Sequence, residues 1–97
     1  MFGEKIRKLR EAKGLVQRQV AAELQVDTAY VSKIESNDKP ANRNHLIKLA
    51  SLFNVEEEEL ISIWLADKVY GVLKDEDVAL EAMKLVMGKL MTNQKIK

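Results

Sequence analysis

At 97 residues the chain has room for one hydrophobic core, and 46% apolar with 32% charged residues is the make-up of a soluble globular domain, not of a disordered one. It has no cysteine and one histidine, which excludes disulfides, thiolate metal sites and cysteine nucleophiles. The net charge of +1 hides an asymmetry: residues 1–53 hold ten basic against six acidic side chains (+4), and residues 54–97 hold six against nine (−3), so a polyanion would suit the first half and not the second.

No apolar run approaches a membrane span, and the charged, amphipathic start Met1-Phe2-Gly3-Glu4-Lys5 lacks the apolar stretch of a secretory signal, so an intracellular, unprocessed protein is expected. The expected elements are all helical. Phe2, Ile6 and Leu9 recur at i, i+4 and i+7 between charged residues, which predicts an amphipathic first helix ending near Lys13-Gly14. A short second helix over Gln17–Leu24 would bury Val20, Ala21 and Leu24. Asp27 is a good N-cap for a third, running to Glu35 with Val31 and Ile34 turned inward. The turn-rich stretch from Ser36 to Pro40 predicts a loop, followed by a fourth helix over Arg43–Phe53.

A fifth helix is expected to open with Glu56, Glu57, Glu58 and Glu59, whose carboxylates suit the positive end of the helix dipole. They lack the glycine and alternating Asp/Asn of a calcium loop, so a cation site is the poorer reading. Asp75 or Asp77 is expected to cap a sixth helix reaching Met91, with Thr92 to Lys97 frayed.

Two short helices joined by a tight turn form the minimum helix-turn-helix unit. Ala21 falls where the two must approach most closely. Burying Val26, Val31 and Ile34 leaves Thr28, Ala29, Tyr30, Ser32 and Lys33 on the outer face, where docked helix-turn-helix proteins meet base edges. Lys33 can donate to guanine O6 and N7, Thr28 can hydrogen-bond or offer its methyl, and Ala29 can offer only apolar contact to a thymine methyl. Tyr30 stays open between a hydroxyl that reaches phosphate and a ring that packs on the fold.

The run Ile6-Arg7-Lys8-Leu9-Arg10, then Lys13-Gly14-Leu15, Gln17, Val20-Ala21, Leu24, Val26-Asp27, Val31-Ser32-Lys33-Ile34-Glu35 and Leu49-Ala50 resembles the lambda-repressor-like (XRE, Cro/CI) helix-turn-helix family over about residues 2–65. The resemblance implies an all-α fold: a five-helix DNA-binding domain over residues 1–65 whose third helix reads DNA, with a helical extension over residues 66–97. It implies base reading by Thr28, Ala29, Ser32 and Lys33, and DNA-backbone contacts from Gln17, Asn37 and Arg43, with Tyr30 as a further candidate. It also implies a charged pair, Arg10 and Glu35, that ties the first helix to the end of the third. Val16 in place of a Ser/Thr cap and Gln25 in place of Gly depart from the family pattern.

The last two helices are apolar beyond one stripe, and Met83, Met87 and Met91 form an i, i+4, i+8 row. Intrachain core is one reading. The preferred one is a homodimer interface that includes Trp64, Val69, Val72, Met83, Val86, Met87 and Leu90, which would let two reading helices span an inverted repeat in double-stranded DNA. The expected protein is a cytoplasmic, nucleoid-associated prokaryotic regulator, of the repressor or restriction–modification controller type. An antitoxin, or an interaction module that keeps the fold without DNA binding, is the alternative. His45 stands alone and no phosphate loop, nucleophile motif or paired carboxylate site occurs, so no enzyme activity, metal, cofactor or small-molecule ligand is expected.

Overall fold

The computed structural model describes residues 1–96. They form six helices: α1 (Phe2–Ala12), α2 (Gln17–Leu24), α3 (Thr28–Glu35), α4 (Arg43–Phe53), α5 (Glu57–Leu73) and α6 (Ala79–Ile96). The core draws on α1 through the first turn of α5, and Ile6, Val20, Val31, Leu46, Leu49 and Leu60 are its fully buried members. Ala21 is buried as well, and its single methyl group lets α2 lie close on α3.

The ends of the first four helices are set by one backbone device. Each stops on a residue with left-handed φ: Gly14 (70°), Gln25 (59°), Asn37 (64°) and Asn54 (56°). The next amide then reaches back to a carbonyl of the last turn: Leu15 to Arg10, Val26 to Ala21, Asp38 to Lys33 and Val55 to Ala50, at 2.9–3.1 Å. Gly and Asn tolerate this conformation, whereas an ordinary side chain there costs roughly 1–2 kcal/mol. Gln25 is the misfit of the four. Gln25→Gly is therefore expected to stabilise the protein by about 0.5–1 kcal/mol, a rise of several degrees in the thermal midpoint; an unchanged or lowered midpoint in a calorimetric melt would contradict this.

The start of α1 is held from a distance. The Phe2 amide donates to Asp67 Oδ2 of α5 at 2.7 Å, and the Gly3 amide donates to Asn37 Oδ1 at 3.0 Å. Two of the four amides a helix leaves unpaired at its start are so satisfied by side chains from the middle of α5 and from the loop after α3. Gly3 makes this possible. A Cβ there would run into the carbonyl oxygens of Ile34 and Glu35 and lie 2.8 Å from Asn37 Oδ1.

α5 is a single helix across residue 65, and Asp67 ties its middle to α1, so the packed body extends past that position. Two expectations about α6 need correction. It opens at Ala79, after turns in which Glu76 N–H reaches Leu73 O and Ala79 N–H reaches Glu76 O, so Asp75 and Asp77 lie ahead of its first turn and do not cap it. It also continues past Met91: Thr92 Oγ1 donates to Gly88 O at 2.9 Å, and helical backbone runs to Ile96. Helix propagation needs only i to i−4 hydrogen bonds, so it does not stop where the apolar stripe does. Of the expected frayed tail, Lys97 lies outside the described residues. No helix among the described residues is long and apolar enough to cross a membrane.

Candidate nucleic-acid interface

The turn from α2 to α3 is three residues long. Asp27 closes it, its Oδ1 accepting from the Tyr30 amide at 3.0 Å as the N-cap of α3. α3 buries Val31, Ile34 and Glu35, and this leaves Thr28, Ala29, Ser32 and Lys33 together on its exposed face. A shallow depression of about 370 Å³ runs along that face, lined by Ala29, Tyr30, Lys33 and Lys39 among others.

A charged cluster fixes α3 from behind. Arg10 Nε and Nη2 donate to Glu35 Oε2 and Oε1 at 2.7 and 3.1 Å, and Arg10 Nη1 donates to Leu15 O at 2.9 Å. Gln17 Nε2 donates to Glu35 Oε1 at 3.0 Å. One carboxylate at the end of α3 thus binds α1 and the start of α2 at once. The Glu35 side chain is 4% exposed and that of Arg10 13%. Donation to the Glu35 carboxylate, together with its negative charge, holds the Arg10 guanidinium more firmly protonated despite the opposing effect of burial.

Gln17 is half-exposed at the first turn of α2. Its amide nitrogen has a second hydrogen beyond the one given to Glu35. The helix start lacks a side-chain cap at Val16, but Gln19 Oε1 accepts from the Val16 amide at 2.8 Å, which is half of a capping box.

Tyr30, left open between phosphate and packing, lies against the fold. Its ring meets His45 of α4 edge-on at 5.4 Å, its hydroxyl lies 3.1 Å from His45 Nδ1, and Lys39 Nζ sits 5.5 Å from its ring centre. Burial and the nearby charge of Lys48 push the pKa of His45 below its usual value. The folded state therefore binds fewer protons at His45 than the unfolded chain, and this contribution to stability is present above about pH 6.5 and is lost as the pH falls through the lower, folded value. Between pH 7.5 and 5.5 the parent protein should lose more thermal stability than a His45→Asn variant; equal losses would contradict the assignment.

Asn37 offers its Oδ1 to Gly3 rather than to solvent, though the residue as a whole is exposed. Arg43 opens α4 behind Asn42, whose side chain accepts from the Asn44 amide at 2.7 Å. The Arg43 guanidinium lies 5.8 Å above the Trp64 ring. Trp64 in turn donates Nε1–H to Ala41 O at 2.9 Å and carries Lys68 Nζ 4.4 Å from its ring centre. Trp64 thus braces the loop before α4. Arg18, Lys33, Lys39 and Arg43 have no carboxylate within ion-pair distance among the described residues.

Sequence reasoning passed over Asp67, Trp64 as a loop brace, the Tyr30–His45 pair and Gly3. Only Gly3 carried a local signal. A glycine in the first turn of an amphipathic helix costs stability unless another backbone must come close.

Two comparisons place this geometry among known proteins. The profile of a helix-turn-helix family matches residues 6–60. Among solved structures, a transcriptional regulator from Listeria innocua superposes with a TM-score of 0.59 at 22% identity, over 95% of this chain and 94% of that one, a likeness of fold. No match was found among curated proteins.

Proposed function

The chain belongs to the lambda-repressor-like (XRE, Cro/CI) helix-turn-helix family of DNA-binding transcriptional regulators, and from that premise we propose that it is a sequence-specific regulator whose homodimer docks two copies of α3 into the major groove of an inverted repeat. The observation that carries the proposal is the make-up of α3. Its exposed face is a continuous set of small polar, apolar and cationic side chains, Thr28, Ala29, Ser32 and Lys33, on a helix locked from behind by Arg10, Gln17 and Glu35. A rigid helix with short side chains lets the backbone approach base edges closely, and Lys33 supplies the donor suited to guanine.

Lys39 lines the depression along this face, and Arg18 and Arg43 are exposed cations that suit phosphate. Gln17, with one amide hydrogen on Glu35, has the other for a phosphate oxygen. Asn37 stands at the same edge, and the Tyr30 hydroxyl would have to leave His45 to join it. The acidic second half, exposed and apolar on α6, suits pairing of protomers through Val69, Val72, Met83, Val86, Met87 and Leu90. A cytoplasmic, nucleoid-associated repressor or restriction–modification controller fits this arrangement, with no enzymatic step.

Binding titrations against a selected site test the reading. Lys33→Ala should cost about 1–3 kcal/mol on the preferred site and relax the preference at one base position, whereas Gln17→Ala should weaken all sequences alike. Affinity should fall steeply with salt. If Lys33→Ala leaves the base preference unchanged, α3 does not read through that residue. If the parent ignores DNA at low salt and copurifies with a small partner, the same fold serves as an antitoxin or interaction module.

A further inference from the structure

The second half of α6 has no place within its own protomer. None of the α6 side chains described is buried, and eleven large apolar side chains between Leu65 and Met91 are 42–76% exposed. Ala79, Met83, Val86 and Leu90 follow the alternating 4 and 3 spacing of a coiled-coil seam. The first two face α5. There they help enclose a groove of about 430 Å³, lined by Ala66, Val69, Tyr70, Leu73, Leu80 and Met83. Beyond Met83, none of the described α6 side chains lines that groove, and Val86 and Leu90 are about half-exposed.

We propose that the free half of α6 from a second copy of this chain seats Val86 and Leu90 in the α5–α6 groove, while the groove of that copy receives the same residues in return. This rests on the dimeric regulator proposed above and specifies how its two protomers are joined.

Groove and ridge lie on one chain, next to each other and along one helix, which is the self-complementary layout of a twofold contact. The area is adequate. A whole apolar side chain offers roughly 60–120 Å², so eleven at the observed exposures supply on the order of 400–800 Å² per protomer, the upper end of which matches the ~800 Å² per partner of a standard interface. Charge permits it too. Residues 66–93 hold four lysines against five acidic side chains, so two copies do not repel strongly. An 18-residue helix with no fully buried side chain among those described would be marginal by itself, and the exchanged contact gives it a core.

The absence of cysteine from the sequence makes cross-linking a clean test. A tagged Val69→Cys chain is mixed with a Val86→Cys chain, allowed to exchange subunits and oxidised. Glu81→Cys, on the polar side of α6, replaces Val86→Cys in the control, and sedimentation of each protein gives its oligomeric state. The mixed Val69–Val86 cross-link should dominate and exceed the control at least tenfold. A protein that sediments as a dimer but yields no more cross-link than the control overturns the exchanged groove and leaves the dimer standing. A protein that sediments as a monomer at high micromolar concentration overturns both, and a different protein would then be the occupant of the groove.

Discussion

A Val86→Asp, Leu90→Asp double variant is expected to sediment as a folded monomer and to bind its DNA site at least a hundredfold more weakly than the parent. Both side chains are about half-exposed in the protomer, so the carboxylates disturb no packed core and the body from α1 to the middle of α5 should keep its fold. In the dimer the same positions would be covered, and four carboxylates would face apolar surface without partners. The loss of DNA affinity follows from linkage. Once one α3 is docked, the second binds its half-site as an intramolecular event, and that advantage is worth roughly 10²–10⁴ in overall affinity. Sedimentation and binding titrations on the same preparation give the two readouts. Undiminished DNA binding by a monomer would show that one reading helix is enough and would remove the role assigned to α6. A truncation aimed at the same question should fall after Leu73 and not at residue 65, because Asp67 caps α1.

Glu35→Ala should be the most destabilising single change at the reading unit. It strips a forked pair from Arg10, whose side chain is 13% exposed, and a side-chain partner from Gln17 Nε2. Removing one member of a buried ion pair strands the other, and the cost here is about 2–4 kcal/mol, toward the lower end of such cases because Arg10 keeps Leu15 O and some water. For a chain of this size the thermal midpoint should fall by about 10–20 °C. The sign of the pair itself is separate. Replacing Arg10 by Met and Glu35 by Leu together should recover much of the loss, since the buried guanidinium then no longer needs a counterion. A Glu35→Ala protein that melts within a few degrees of the parent would mean that α3 is held by its apolar contacts alone.

What could be read in advance follows the range of the interactions concerned. The boundaries of α2, α3 and α4 are local matters: Asp27 caps, Pro40 and its neighbours break, and Val20, Ala21, Leu24, Leu46 and Leu49 mark inward faces within one or two turns. The exposed set on α3 follows from the same periodicity, because burying Val31 and Ile34 leaves Thr28, Ala29, Ser32 and Lys33 outside. The start of α6 was misplaced by a local rule. Asp75 and Asp77 are good capping residues, but the turn formed by Glu76 and Ala79 carries the chain past them.

Contacts that reach far along the chain were beyond such reading. Asp67 caps a helix that begins 65 residues earlier, and Trp64 holds the carbonyl of Ala41. Both readings of Tyr30 are locally sound, and only the placement of His45 on α4 separates them. Gln25 stands where the family pattern has Gly, and its left-handed φ gives that departure a physical meaning.

Selection of bound sequences from a random pool of double-stranded DNA, followed by footprinting of the winner, is the most direct measurement of whether α3 reads DNA as proposed. The account predicts an enriched inverted repeat whose half-sites are centred one helical turn, about 10–10.5 base pairs, or a multiple of it apart, with symmetric protection of both halves. A pool that shows no enrichment at low salt, or protection of a single asymmetric stretch, would contradict it.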